Sequence, residues 1–247
     1  MDHVFQGKLA VITGASSGIG LAATERLLDQ GARVLAMSRK LGALAELLER
    51  YPQQLVWHPG DVTQASDLAS LAEQAAHIGP VSFVVPNAGI AELADGLDSS
   101  TFGRQWAVNG AGALNTLAVL RPHLADSASV VFIGTFLAQI SFAGLAAYIA
   151  SKAALIAHAR TLAVELAPHG VRINCVSPGP TATPIWSTLG LSDEALGDVA
   201  QGVNKRLLSG QFLEPAAVAD VILFQLGNGA RGVIGQDWVV DSGYTLS

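Results

Sequence analysis

The sequence predicts an α/β protein: a single doubly wound domain in which a mainly parallel sheet is flanked by helices. Three observations predict it. Short, nearly all-apolar runs of strand length recur along the chain, separated by longer segments with apolar residues at helical spacing. Strands apolar on both faces need cover on both faces, the condition of a parallel sheet connected by right-handed crossovers. No repeat, low-complexity tract or linker breaks the alternation, so residues 1–247 read as one domain, within the range of large α/β units.

The elements follow in order. Residues 8–13 carry an apolar run, and after a glycine-rich turn a helix is expected over 19–30, with Leu21, Ala22, Leu27 and Leu28 on its apolar side and Gly31 closing it. A strand at 34–37 and a helix at 41–50 come next, then a short strand at 55–57, a helix at 65–78 and a strand at 81–85 ended by Pro86. Residues 101–124 read as one long helix despite their glycines, and 129–133 as the strand after it. An alanine-rich helix spans 148–166, closed by Pro168-His169-Gly170, before a strand at 171–176. Residues 192–208 are mixed in pattern, 215–226 read as helix and 233–239 as the last strand. The weakest patterning runs from 178 to about 210, and a substrate-binding loop is placed at about 180–212.

Composition excludes several classes of function. Half of the residues are apolar, only 14% are charged and the net charge is -6, which fits a compact body with apolar area covered by subunit contacts. The 14 lysines and arginines are scattered, so no basic surface for nucleic acid is expected. No run reaches the roughly 18 apolar residues of a membrane span, and residues 1–8 lack the pattern of a secretory leader, so a cytoplasmic protein without a membrane partner is expected. The one cysteine, Cys175, lies in an apolar strand and reads as a core side chain. His158 and His169 have no acidic or histidine cluster around them, so no metal site is expected.

The turn Thr13-Gly14-Ala15-Ser16-Ser17-Gly18-Ile19-Gly20 joins the first strand to the first helix. Small residues there let the backbone approach a pyrophosphate, and the helix start supplies free amides and positive potential. At the end of the second strand, Met37-Ser38-Arg39-Lys40 has no acid to hold an adenosine ribose. Arg39, with Ser38 and Lys40 assisting, suits a 2'-phosphate, which favours NADP(H), with NAD(H) the alternative. Asp61-Val62 and Asn87-Ala88-Gly89 end the next strands. They read either as contacts to an adenine amine and a flat ring or ribose, or as turns and caps. Tyr148 and Lys152 stand one helical turn apart in Tyr148-Ile149-Ala150-Ser151-Lys152, where a cation beside a phenol favours the phenolate. That arrangement points to acid/base chemistry.

With these motifs in this order, together with Asn109, Pro178-Gly179 and Thr183, the chain resembles the classical short-chain dehydrogenases/reductases over essentially its whole length. The resemblance implies a Rossmann-like fold, a homotetramer or homodimer, and hydride transfer between a nicotinamide cofactor and a carbonyl or alcohol. It also implies that Tyr148 is the general acid/base, that Lys152 lowers its pKa and binds the nicotinamide ribose, and that Asn109 holds a water relay behind the lysine. Gly14, Ser16, Ser17 and Ile19 fall in the implied pyrophosphate turn; Pro178, Gly179, Thr181 and Thr183 fall beside the nicotinamide.

Thr135 stands where the family usually has serine, thirteen residues before the tyrosine. Its hydroxyl can serve the same substrate oxygen, while its methyl takes space beside the reacting carbon. Pro86, Thr181 and Asp241-Ser242-Gly243 are milder departures. Phe136, Leu137, Ile140, Phe142, Ile185, Trp186 and Leu189 are expected to form an apolar wall for a hydrophobic substrate. A different class of reading keeps the dinucleotide and drops the chemistry: a regulatory protein whose ancestral site Thr135 has weakened.

Overall fold

In the computed structural model, which describes residues 3–246, seven parallel strands form one sheet. The strands are β1 (Leu9–Thr13), β2 (Arg33–Ser38), β3 (Leu55–Pro59), β4 (Val81–Pro86), β5 (Leu124–Ile133), β6 (Arg172–Pro178) and β7 (Asp237–Val240). Their spatial order is β3-β2-β1-β4-β5-β6-β7, and every registered pair is parallel. Helices α1 (Gly18–Asp29), α2 (Leu44–Arg50), α3 (Ala65–Ile78), α4 (Ser99–Trp106), α5 (Ala113–Leu120), α6 (Ala146–Leu166), α7 (Asp193–Arg206) and α8 (Pro215–Leu226) fill the connections. This is the doubly wound, Rossmann-like α/β architecture that the sequence predicts.

Strand periodicity divides the core in two. Ala10 and Ile12 of β1 join α1 and α8 on one face, while Leu9 and Val11 join α3, α5 and α6 on the other, as a period of two requires. Covering both faces removes the strands' apolar side chains from water, the dominant stabilising term. Because all strands run the same way, the segments that follow their C-terminal ends gather along one edge of the sheet. The order reverses at β1, and there the ends of β1 and β4 diverge to opposite faces and leave a crevice.

Four elements differ from expectation; one is β5, expected over 129–133, which begins already at Leu124. The helix expected at 101–124 is broken into α4, a π-helical stretch Ala107–Gly112 and α5, and ends in a 3-10 turn at Arg121–His123. Gly110 lies so close to the ring of Trp106 that an added Cβ would stand 2.1 Å from it, and Pro122 lacks the amide that would prolong the helix. The mixed segment after 192 is largely helical. Ser192 caps α7 by accepting from the Ala195 amide at 3.3 Å, with Asp193 and Glu194 in the first turn and Lys205 and Arg206 in the last, all favourable to the helix dipole. The last strand begins at Asp237 rather than 233, because Gly235 turns at φ 67° before pairing with β6 starts.

Candidate active site

A cavity of about 720 Å³ opens along the C-terminal edge of the sheet. One end is built by the turn between β1 and α1. Gly14 has φ 66° and a Cβ there would stand 2.7 Å from Ala88 Cα; Gly18 has φ 55° and its Cβ would stand 2.9 Å from the Thr183 methyl. Only glycine fits both positions. Ser17, at the helix N-cap, makes no side-chain cap, and the first turn of α1 carries no acid, so its leading amides and positive potential are offered to the cavity. That donor set and the glycine cradle fit a pyrophosphate.

Asn87 anchors this turn. Its Nδ2 donates to the carbonyls of Thr13 and Gly14, both at 3.1 Å, and the Thr13 hydroxyl accepts from the Asn87 and Ala88 amides. Asn87, Ala88 and Gly89 all line the cavity, but the Asn87 side chain holds protein rather than presenting itself to a ligand. Asp61 and Val62 also line it, and one oxygen of Asp61 accepts from the Thr63 amide and hydroxyl at 2.9 and 2.8 Å. Asp61 is therefore a turn residue that also lies on the cavity wall.

Beyond β2, the Ser38 hydroxyl donates to the Lys40 carbonyl at 2.8 Å and accepts from Trp57 Nε1 at 3.0 Å, which leaves it little capacity for a phosphate. Arg39 and Lys40 are exposed at the cavity. Among the described residues Arg39 has no hydrogen-bond or ion-pair partner.

At the other end β5 delivers Thr135, and the first two turns of α6 deliver Tyr148 and Lys152. Thr135 is buried and caps a 3-10 turn by accepting from the Leu137 amide at 3.3 Å. Burial pushes the Tyr148 phenol above its ordinary value, and the neighbouring Thr135 hydroxyl opposes that rise. Burial lowers Lys152 to about 8, and its Nζ donates to the Ile133 carbonyl at 2.8 Å. The lowering of the phenol pKa by the lysine that the resemblance implies is not among the influences on Tyr148 here: burial is the largest and Thr135 opposes it, while the ammonium faces the Ile133 carbonyl.

Asn109 lies outside the cavity lining, fully buried within the π-helical stretch. Its Oδ1 accepts from the Ile90 amide at 2.8 Å, and its Nδ2 donates to the Ile90 carbonyl at 2.9 Å and to Ser151 Oγ at 3.1 Å. Ser151 Oγ in turn donates to the Tyr148 carbonyl at 2.7 Å. Asn109 therefore ties the segment after β4 to the start of α6.

Pro178, Gly179, Thr181 and Thr183 form part of the wall between the two ends, though the Thr181 hydroxyl donates to the Gly179 carbonyl at 2.9 Å. Phe136, Leu137, Ile185, Trp186 and Leu189 line the cavity as the sequence predicts, whereas Ile140 and Phe142 do not. Sequence reasoning missed Leu145, Ile90 and the pair Ala91–Thr188. Thr188 Oγ1 donates to the Ala91 carbonyl at 2.7 Å and accepts from its amide at 3.2 Å, fastening the 184–189 turn across the opening. No local pattern announces a contact 97 residues apart. Cys175 is buried, which pushes its thiol up to about 12, the state of an inert core side chain. Among the described residues no group of three histidine, cysteine or acidic side chains is placed to hold a metal, and no helix is long and apolar enough to cross a membrane.

Fold and site together define a dinucleotide-binding α/β protein with a tyrosine and a lysine at the head of one helix. The chain belongs to the short-chain dehydrogenase/reductase family: residues 14–245 match the family described as enoyl-(acyl carrier protein) reductase. It is 33% identical to L-fucose dehydrogenase of Mus musculus over 98% of this chain and 90% of that one. It is 31% identical to 2,3-dihydro-2,3-dihydroxybenzoate dehydrogenase of Bacillus subtilis (98% and 97%) and 29% identical to carbonyl reductase [NADPH] 2 of Sus scrofa over the full length of both. Among solved structures, a short-chain dehydrogenase/reductase from Mycobacterium marinum superposes with a TM-score of 0.90 at 27% identity, covering 99% and 98% of the two chains. These relationships support a nicotinamide-dependent oxidoreduction.

Proposed function

We propose that this protein transfers hydride between NADP(H) and a carbonyl or secondary alcohol on a hydrophobic substrate. The observation that carries the reading is the convergence of Thr135, Tyr148 and Lys152 on the same cavity as the glycine cradle of α1. When bound, the nicotinamide supplies or accepts the hydride at the reacting carbon. Tyr148 then gives the oxygen its proton on carbonyl reduction and takes it back on alcohol oxidation. Thr135 holds that oxygen, and Lys152, turning from Ile133, binds the ribose and stabilises the phenolate. Asn109 acts through Ile90 and Ser151, setting the position of α6 rather than touching substrate.

Arg39 and Lys40, exposed beside the cavity with no acid next to them, support the phosphorylated cofactor, and one relative is named for NADPH. The NAD(H) reading survives where Arg39 lies across the adenine, and affinity measurements separate the two. For Arg39→Ala we expect the preference for NADPH over NADH to fall about ten- to a hundredfold; an unchanged ratio removes the proposed clamp.

The chemistry is tested by Tyr148→Phe. We expect kcat to fall by a factor of about 10² to 10⁴ with cofactor affinity retained, whereas activity equal to the parent's rejects the mechanism. A regulator that binds dinucleotide without catalysing predicts no turnover by either protein.

A further inference from the structure

We infer that the substrate end of the cavity recognises one polar group only, the reacting oxygen, and requires the rest of the substrate to be neutral and apolar. The inference rests on the oxidoreductase reading above and narrows its substrate class from what the wall lacks. Phe136, Leu137, Leu145, Ile185, Trp186 and Leu189 supply the surface there. The remaining polar side chains on the same wall have their donors engaged by backbone carbonyls. Trp186 Nε1 donates to Thr181 at 2.8 Å, with its ring held 5.0 Å from that of Phe212. The Ser187 hydroxyl donates to Pro184 at 2.7 Å. The Thr188 hydroxyl has two acceptors at 2.7 Å, Ala91 and Ile185, and itself accepts from the Ala91 amide. Thr135, Tyr148 and Thr183 remain; the first two face the reacting oxygen in the proposed mechanism, and Thr183 stands against Gly18 of the glycine turn, at the cofactor end.

Charge at this end is confined to Lys152. The cations on the cavity wall are Arg39, Lys40 and Lys152, and the one acid is Asp61. Lys152 is held by the Ile133 carbonyl and lies beside Gly89, whose added Cβ would stand 3.6 Å from its Nζ. Arg39 and Lys40 follow β2, three strands from β5 in the sheet order, or about 14 Å away at the usual strand spacing. Asp61 follows β3, one strand further still. A substrate carboxylate among the apolar residues would lose its water without gaining a cation, because Lys152 is held by Ile133 and, in the proposed mechanism, serves the ribose and the phenolate. Each additional substrate hydroxyl would lose hydrogen bonds that no side-chain donor replaces. The pocket therefore selects against sugars, polyols and ring acids on solvation, even where their size fits.

Three ketones of one ring size test this: cyclohexanone bearing at C4 an ethyl, a hydroxymethyl or a carboxylate group, each assayed for kcat/KM with the parent protein and NADPH. We expect the ethyl compound to exceed the hydroxymethyl compound by about tenfold or more and the carboxylate by about a hundredfold or more. In Leu137→Arg the carboxylate should gain on the ethyl compound at least tenfold, because a cation then faces it. A parent protein that turns over the carboxylate or hydroxymethyl ketone as well as the ethyl ketone overturns the inference and leaves the oxidoreductase reading intact. Turnover of none of the three by protein that binds NADPH overturns that reading, and this inference with it.

Discussion

Thr135 carries the sharpest question at the scale of single residues, because its hydroxyl is placed for two tasks at once. It accepts from the Leu137 amide and lowers the pKa of the Tyr148 phenol, so a substitution acts on both the turn and the chemistry. For Thr135→Val, which keeps the shape and removes the oxygen, kcat/KM should fall by about 10² to 10³. The orphaned Leu137 amide should cost about 1 kcal/mol of stability, read from denaturant midpoints. Thr135→Ser should preserve both, and a rise in turnover would identify the methyl as a steric restraint; insensitivity to both changes would remove Thr135 from the mechanism. Lys152 gives a pH signature. Folding lowers it from an ordinary 10.5 to about 8, so between these values the folded protein binds fewer protons than the unfolded chain and stability rises with pH. Relative to Lys152→Met, the parent should gain about 2 kcal/mol between pH 7.5 and 9.5 in urea titrations. Tyr148, raised above its ordinary 10.0, stays protonated in that range. A pH-independent difference would contradict the buried, partly neutral lysine.

Single elements show why some of this is legible in the chain and some is not. The glycine turn is legible because φ above zero and close backbone approach both demand glycine locally, as at Gly14 and Gly18. Gly14→Ala should lower stability by about 1–3 kcal/mol and weaken dinucleotide binding at least tenfold, with affinity measured by fluorescence titration; normal affinity would show that the turn yields without harm. The catalytic spacing is legible because Tyr148 and Lys152 stand one turn apart on α6. The π-helical stretch at Ala107–Gly112 is not, since its apolar pattern matches an ordinary helix. Its sharpest tight contact, Gly110 against Trp106, appears only in three dimensions. Helix α7 is hard to read from the chain for a different reason: its apolar face is weak, and its signals lie in the Ser192 cap and the charges at its ends.

At the scale of the whole molecule, the open edge of the sheet bears on assembly. Strand β7 is short and unpaired on its outer side. Next to it Phe224 of α8 and Trp238 of β7 stack at 5.5 Å while remaining 45% and 36% exposed. Exposed aromatic pairs beside a free strand edge are characteristic of surfaces covered by a second subunit. A homotetramer or homodimer is therefore expected by light scattering, and the double substitution Phe224→Glu with Trp238→Glu should lower the mass. A monomeric parent would refute this.

The alternation of strands and helices, the glycine turn, the position of Tyr148 against Lys152 and the absence of an acid beside Arg39 are all written in the amino-acid order. These depend on local periodicity, on glycine's conformational freedom and on residue identity, all of which are written within a few residues. Only the assembled fold establishes that Asn87 holds the glycine turn, that Asn109 ties Ile90 to Ser151, that Thr188 fastens the 184–189 turn to Ala91, and that burial raises the Tyr148 phenol. Those outcomes depend on which groups the sheet order brings together and how much water remains around them, and neither quantity is a property of any stretch of chain.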